Sequence, residues 1–275
     1  MPSRSDTNAL SAATADKHRL YQYSVQSPEP DLEFAIRLYK ARSRRLPRHF
    51  REDFCGTALL SATWIRRGRS YTAEGYDIDA DTLAWGRAHN FAQLGSDASR
   101  ATLHQADVRA PSVRAPDLRC AQNFSWFVFK TRPLLLEYFS CTYEDLAPGG
   151  VFMLDIFGGA QSIEEMEEET EVEEGFTYVW HQAAYWPISG EYLAHIHFDF
   201  PDGTRMEKAF TYDWRLWSVP EAVDVLRDAG FAKIDVYWEQ IGEDGVHGNG
   251  EYRRSKRGDN WLSWVGYIVC HKPDR

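Results

Sequence analysis

The chain has 275 residues, 43% of them hydrophobic and 14% aromatic, which is ample for a packed core and excludes an intrinsically disordered protein. Its formal charge of −10 argues against a general polyanion-binding surface. No apolar run approaches the length of a membrane span and the N-terminus has no hydrophobic signal core, so a cytoplasmic protein is expected. Four scattered cysteines without metal-ligand spacing read as buried free thiols in that setting.

In chain order, residues 1–20 are expected to form a flexible leader, because the first 17 are small and polar. Tyr21, Tyr23 and Gln26 follow, ahead of a helix predicted over residues 31–43 with an apolar stripe at Leu32, Ala35, Ile36 and Tyr39. The stretch from His49 to Asp79 then has the form strand, tight glycine turn, helix, strand, with an acid closing the second strand. Asp79 caps a helix predicted over 80–91. Residues 103–108 end a third strand, 117–123 form a fourth, and 146–155 run from a helix end through a glycine turn into a fifth.

The regular alternation breaks there. Residues 162–174 hold eight glutamates and read as a solvated helix or linker. Residues 176–181, 192–200 and 204–212 read as strands, with Pro201-Asp202-Gly203 as a hairpin turn. Ser218-Val219-Pro220-Glu221 is a capping box for a helix that Gly230 ends, and residues 231–238 and 261–271 supply two closing strands. Arg253-Arg254-Ser255-Lys256-Arg257 reads as a basic surface loop, too short to signal nucleic-acid binding. The expected organisation is a catalytic domain over 21–160 and 215–275, with 161–214 an acidic linker and antiparallel β insertion covering the substrate.

Glu52 indicates what the first turn holds. Pyrophosphate of a dinucleotide would be repelled by a carboxylate at that point, whereas a ligand carrying an ammonium and a sulfonium would be drawn to it. Asp77 follows Ala58 by 19 positions, the spacing of a ribose-binding acid. Asp53 points away from Glu52 along the strand and reads as structural.

Glu52-Asp53-Phe54-Cys55-Gly56-Thr57-Ala58 resembles the first motif of class I S-adenosylmethionine-dependent methyltransferases, with Phe54 and Ala58 standing where two of its three glycines fall. Glu74-Gly75-Tyr76-Asp77-Ile78-Asp79 resembles the second motif, and Leu103 to Val108 the third strand's end. The resemblance covers roughly residues 30–160 and 215–272. It implies an α/β fold with a doubly wound, seven-stranded Rossmann-like sheet and a small antiparallel β insertion after strand 5. It also implies S-adenosyl-L-methionine as cofactor, bound by Glu52, Phe54, Cys55, Gly56, Thr57, Ala58, Asp77, Ile78, Asp107, Val108 and Asn123.

The acceptor is expected to be a small molecule attacking through nitrogen or oxygen, with macromolecular acceptors, a nicotinamide oxidoreductase and a non-catalytic scaffold as alternatives. Asn123-Phe124-Ser125-Trp126 is not the Asn-Pro-Pro-Tyr type, which counts against planar amino groups as acceptors. No catalytic base stands out; Asn123, Ser125, His195 and His197 are candidates. Tyr21, Tyr23, Gln26, Trp180, Tyr185 and Trp214 are substrate candidates, the tyrosines and Gln26 as a lid and the other aromatics as faces for a cation. His195 and His197 share a strand face and His181 lies on another strand, but no third ligand is evident, so no metal is assigned. The oligomeric state is left open.

Overall fold

The computed structural model describes residues 10–43, 45–242 and 248–274. They divide into two compact units. The larger comprises Ser27–Ser162 and the chain from Arg215 onward; the smaller comprises Ile163–Trp214 with the described residues up to Gln26.

The larger unit is built on one eight-stranded sheet. Five parallel strands, β1 (His49–Asp53), β2 (Thr72–Asp77), β3 (Ala101–Gln105), β4 (Leu118–Ala121) and β5 (Val151–Gly158), lie in the order β5-β4-β1-β2-β3. The chain order reverses between β1 and β4, which opens a crevice at the strands' carboxyl ends. Beyond β5 come three antiparallel strands: β12 (Trp264–His271), then β10 (Lys233–Ile241), then β11 (Gly248–Ser255).

β11 makes eight strands where seven are expected. It also corrects the reading of the basic stretch as a loop. Arg253 and Arg254 sit on this edge strand opposite Trp238 and Tyr237, with Arg254 paired to Asp235 at 2.5 Å. Tyr252 meanwhile packs on Tyr267 and Phe34. Exposed arginines beside a half-buried tyrosine suit an edge strand, and composition alone does not separate that from a loop.

The helices follow the predicted places with shifted ends. α2 (Pro28–Lys40) and α3 (Leu59–Arg66) pack one core, in which Leu32, Ala35, Tyr39, Leu60 and Trp64 meet Phe50, Leu118 and Val269. α4 (Ala80–Gly86) is capped by the Asp79 carboxylate as expected, then continues as a π turn over Arg87–Phe91. Gly86 is required there, since a Cβ would lie 2.4 Å from the Thr57 carbonyl oxygen. α5 (Arg132–Asp145) leads into β5, and the capping box of α6 (Val219–Asp228) is present in both directions.

The smaller unit is a four-stranded sheet in the order β6-β7-β8-β9 with one helix, α1 (Lys17–Val25). β7 (Phe176–Trp186), β8 (Glu191–Asp199) and β9 (Arg205–Arg215) correspond to the three predicted strands. β6 (Met166–Val172) is a correction. The glutamate run is not helical but an exposed edge strand, antiparallel to β7 with Glu167 opposite His181. Pairing with β7 overrides the weak strand preference of glutamate.

The leader needs correcting too. Residues 1–9 lie outside the described residues, but Leu10, Ala12 and Ala15 pack around Leu20, Phe176 and Phe198. Asp16 caps α1 by accepting from the His18 and Arg19 N–H groups. Residues 21–26, expected in the catalytic domain, group with the smaller unit instead.

Candidate active site

The turn after β1 carries three left-handed residues at alternate positions: Phe54 (φ 53°), Gly56 (φ 51°) and Ala58 (φ 54°). Only Gly56 adopts that conformation without steric penalty; for each of the others it costs roughly 1–2 kcal/mol. The backbone therefore keeps the glycine-motif shape where two glycines are absent. Phe54's ring is directed to Phe129 and Tyr138, at 6.0 and 5.9 Å between centroids. Strained residues held by their surroundings cluster at functional sites.

Two carboxylates and one backbone hydrogen bond fix this turn. Asp77, at the end of β2, accepts from the Gly56 N–H at 2.8 Å and the Asp79 N–H at 2.9 Å. Burial raises its pKa. Cys55 donates its N–H to the Tyr76 carbonyl, tying the turn to β2. Glu52 is buried and accepts from both the Ser61 N–H (2.8 Å) and hydroxyl (2.5 Å) in the first turn of α3. The α3 N-cap, Ala58, has no capping side chain, and Glu52 supplies that bond from the neighbouring strand. Burial pushes its carboxyl up to about 8, against the lowering effect of Ser61. Among the described residues no arginine, lysine or histidine pairs with it.

The opposite face of β1 is organised differently. Asp53 receives Arg51 at 2.8 Å, Arg119 at 2.6 Å and the Tyr138 hydroxyl at 2.8 Å, all buried. Both arginines also reach Asp145, and both donate to the Val108 carbonyl, at 2.7 and 2.8 Å. This cage fixes the backbone just after β3. Asp107 itself is gripped by Arg109 through two side-chain bonds of 2.9 and 2.7 Å, and Arg109 holds its pKa down. Ile78, beside Asp77, is 74% exposed, an apolar side chain available to a flat ligand.

After β4, Asn123 (φ 56°) and Phe124 (φ 57°) form a second left-handed pair. Asp155 of β5 clamps both, accepting the Asn123 N–H at 2.6 Å and the Phe124 N–H at 2.8 Å. Burial pushes its carboxyl up to about 7. Asp155 thus positions the loop after β4. Ser125 donates its hydroxyl to the Gln122 carbonyl, a local cap. The buried Gln122 Nε2 has no hydrogen-bond partner among the described residues.

The larger unit also holds a cavity of about 740 Å³ that no sequence motif marks. Asp31, Phe34, Arg37, Tyr237, Tyr252 and Tyr267 line it. The Tyr267 hydroxyl donates to Asp31 at 3.0 Å, and burial raises Asp31 to about 6. The charge of Asp31 also contributes to raising Asp155. An acid and three tyrosines from four distant segments make a pocket that no local spacing could reveal.

The predicted residues thus fall into two groups. Glu52, Phe54, Cys55, Gly56, Thr57, Ala58, Asp77, Ile78, Asp107, Val108, Asn123 and Ser125 all belong to the larger unit, around the carboxyl ends of β1 to β4. Tyr21, Tyr23, Gln26, Trp180, Tyr185, Trp214, His195 and His197 belong to the smaller. There Tyr21 packs on Phe210, and Trp180 lies 6.2 Å from Trp214 between ring centroids. Tyr23 is exposed, and the buried Gln26 Oε1 has no hydrogen-bond partner among the described residues.

The sequence matches no protein-family model and no curated relative. Solved structures nonetheless share the fold. An S-adenosylmethionine-dependent methyltransferase from Clostridium acetobutylicum is 14% identical with a TM-score of 0.68, covering 93% of this chain and 97% of that one. CalS10, an amino pentose methyltransferase from Micromonospora echinaspora, is 15% identical with a TM-score of 0.65, covering 93% and 95%. DesVI from Streptomyces venezuelae is 18% identical with a TM-score of 0.63, covering 93% of each. The fold is that of the class I S-adenosylmethionine-dependent methyltransferases.

Proposed function

We propose that this chain transfers a methyl group from S-adenosylmethionine to a small-molecule amine or hydroxyl acceptor. The observation that carries the reading is the turn after β1. Phe54, Gly56 and Ala58 hold the strained left-handed shape, with buried Glu52 unpaired by any described cation beneath it. A cofactor bearing an ammonium and a sulfonium fits such an acid, and a pyrophosphate does not. Phe54 and Ala58 keep the left-handed backbone of the turn where glycines are replaced, which supports a working cofactor loop over a non-catalytic scaffold.

The cofactor supplies an electrophilic methyl group on a sulfonium. The chain's own part is alignment and exclusion of water. Asp77 takes the ribose hydroxyls with its remaining lone pairs. Ile78 and the backbone at Asp107 and Val108 hold the adenine, the latter kept rigid by the arginine cage. Asn123, fixed by Asp155, borders the reacting centre. The tyrosine-lined cavity beside Asp31 is the acceptor pocket in this reading, because tyrosine faces and a carboxylate both attract an amine. Asp31, raised to about 6, is placed to take a proton from an ammonium so that it attacks as the neutral amine. Among the described residues no helix is long and apolar enough to cross a membrane.

Titration calorimetry with S-adenosylhomocysteine, S-adenosylmethionine and NADH tests the cofactor. Micromolar binding of the adenosyl compounds, lost in Asp77→Ala, is the expected result; binding of NADH alone would overturn the reading. An acceptor screen with labelled methyl should begin with amino sugars, because the fold is shared with an amino pentose methyltransferase.

A further inference from the structure

We infer that Glu167, His181 and His197 form a site for a divalent transition-metal ion of the zinc class on the four-stranded sheet. The inference is independent of the methyl-transfer reading. One ligand atom from each of the three residues lies within 4.8 Å of those of the other two. His181 Nδ1 faces His197 Nε2 at 3.2 Å, and Glu167 Oε1 is 3.7 Å from His181 Nδ1. Tetrahedral zinc with bonds of about 2.0–2.1 Å separates neighbouring ligand atoms by roughly 3.3 Å. The two nitrogens already stand at that separation, and a small rotation of the half-exposed Glu167 brings its oxygen there.

Strand register produces this arrangement. Glu167 lies opposite His181 across β6 and β7, and His181 lies opposite His195 across β7 and β8. His197 is two residues along β8, on the same face as His195. A hydrogen bond between two neutral imidazoles accounts for the His181–His197 contact alone. It accounts for neither of the carboxylates that flank it.

The outer groups are those a metal-bound histidine uses. Glu207 Oε2 is 2.7 Å from His197 Nδ1, the carboxylate that orients the ring and leaves Nε2 for the ion. The Lys208 N–H approaches the same Nδ1 at 3.1 Å, and ion binding selects the Glu207 arrangement. Arg205 holds both oxygens of Glu167, Oε1 at 3.4 Å and Oε2 at 3.2 Å, and is itself anchored by Asp199 at 2.5 and 2.9 Å. Two imidazoles and a carboxylate without thiolate suit zinc, cobalt or nickel, with a fourth position for water. Such an ion ties the exposed strand β6 to β7 and β8.

The test uses untagged full-length protein stripped with a chelator, then titrated with Zn²⁺ and, for its visible absorption, Co²⁺. One equivalent is expected to bind, more weakly as pH falls, because the imidazoles must be neutral. Glu207→Gln should weaken binding by about 10- to 100-fold, and His181→Ala or His197→Ala by more. Zn²⁺ should raise the melting temperature of the wild type but not of Glu167→Gln, whose exposed side chain can change without disturbing the core. Stoichiometric binding lost in these variants supports the site. No stoichiometric binding by the wild type, or equal binding by the wild type and Glu167→Gln, overturns it.

Discussion

Two neighbouring residues of β1 bury their carboxylates on opposite faces of one sheet, and they live in different chemical worlds. Asp53 meets two arginines and a tyrosine hydroxyl, so its charge is matched within the fold. Among the described residues Glu52 accepts from the N–H and O–H of Ser61 and from no cation, and burial lifts its carboxyl to about 8. A buried acid with cations around it is scaffold. A buried acid held only by neutral donors is stabilised when a cation arrives from outside, and the strained turn above Glu52 is where one would dock.

That contrast can be broken in order of expected effect. Asp53→Ala leaves two buried guanidiniums short of a partner and should cost about 3–5 kcal/mol in denaturant unfolding; a loss near zero would show that the cage is not needed. Glu52→Gln should act through pH. The folded-state pKa of Glu52, about 8, lies above its ordinary 4.5. Its contribution is therefore fully present below 4.5 and is lost as pH rises to about 8. The cofactor-free wild type should lose up to roughly 4 kcal/mol relative to Glu52→Gln across that window. Parallel pH–stability curves for the two proteins would contradict the assignment.

Asp77→Ala removes a charged acceptor and should weaken S-adenosylhomocysteine binding by about 100-fold, or roughly 3 kcal/mol. Asp155→Asn sharpens the comparison, since it replaces one acceptor oxygen by a donor facing an N–H. A loss of about 1–3 kcal/mol is expected by calorimetric melting, and a wild-type Tm would remove Asp155 from the loop's support. The smallest effect is Ala58→Gly, which relieves a left-handed alanine. It should stabilise by about 0.5–1 kcal/mol, and destabilisation would show that the buried methyl group outweighs the strain.

The turn and the α6 capping box were legible because each depends on residues a few positions apart, and the place of Asp77 at the end of β2 followed from its 19-position spacing from Ala58. The Asp53 cage was not, because its members stand at positions 51, 53, 119, 138 and 145 and meet only once the sheet has formed. Alternation along His49–Asp53 reveals that Arg51 and Asp53 share a face, but not what awaits them. The tyrosine cavity was hidden for the same reason. A solvated helix or linker over residues 162–174 would keep Glu167 away from His181, and the pairing of β6 with β7 is what sets the two opposite each other.

Strand β6 has one further effect, on how copies of the protein behave toward each other. It is an open edge of its sheet, with a row of backbone groups able to recruit a strand from another molecule. Four of its seven residues are glutamates, Glu167, Glu168, Glu169 and Glu171, and they point to both sides of the strand. A second β6 approaching edge to edge would align like charges along its whole length. The acidity that first suggested a solvated linker would thus oppose edge-to-edge pairing of β6 with a second copy of itself.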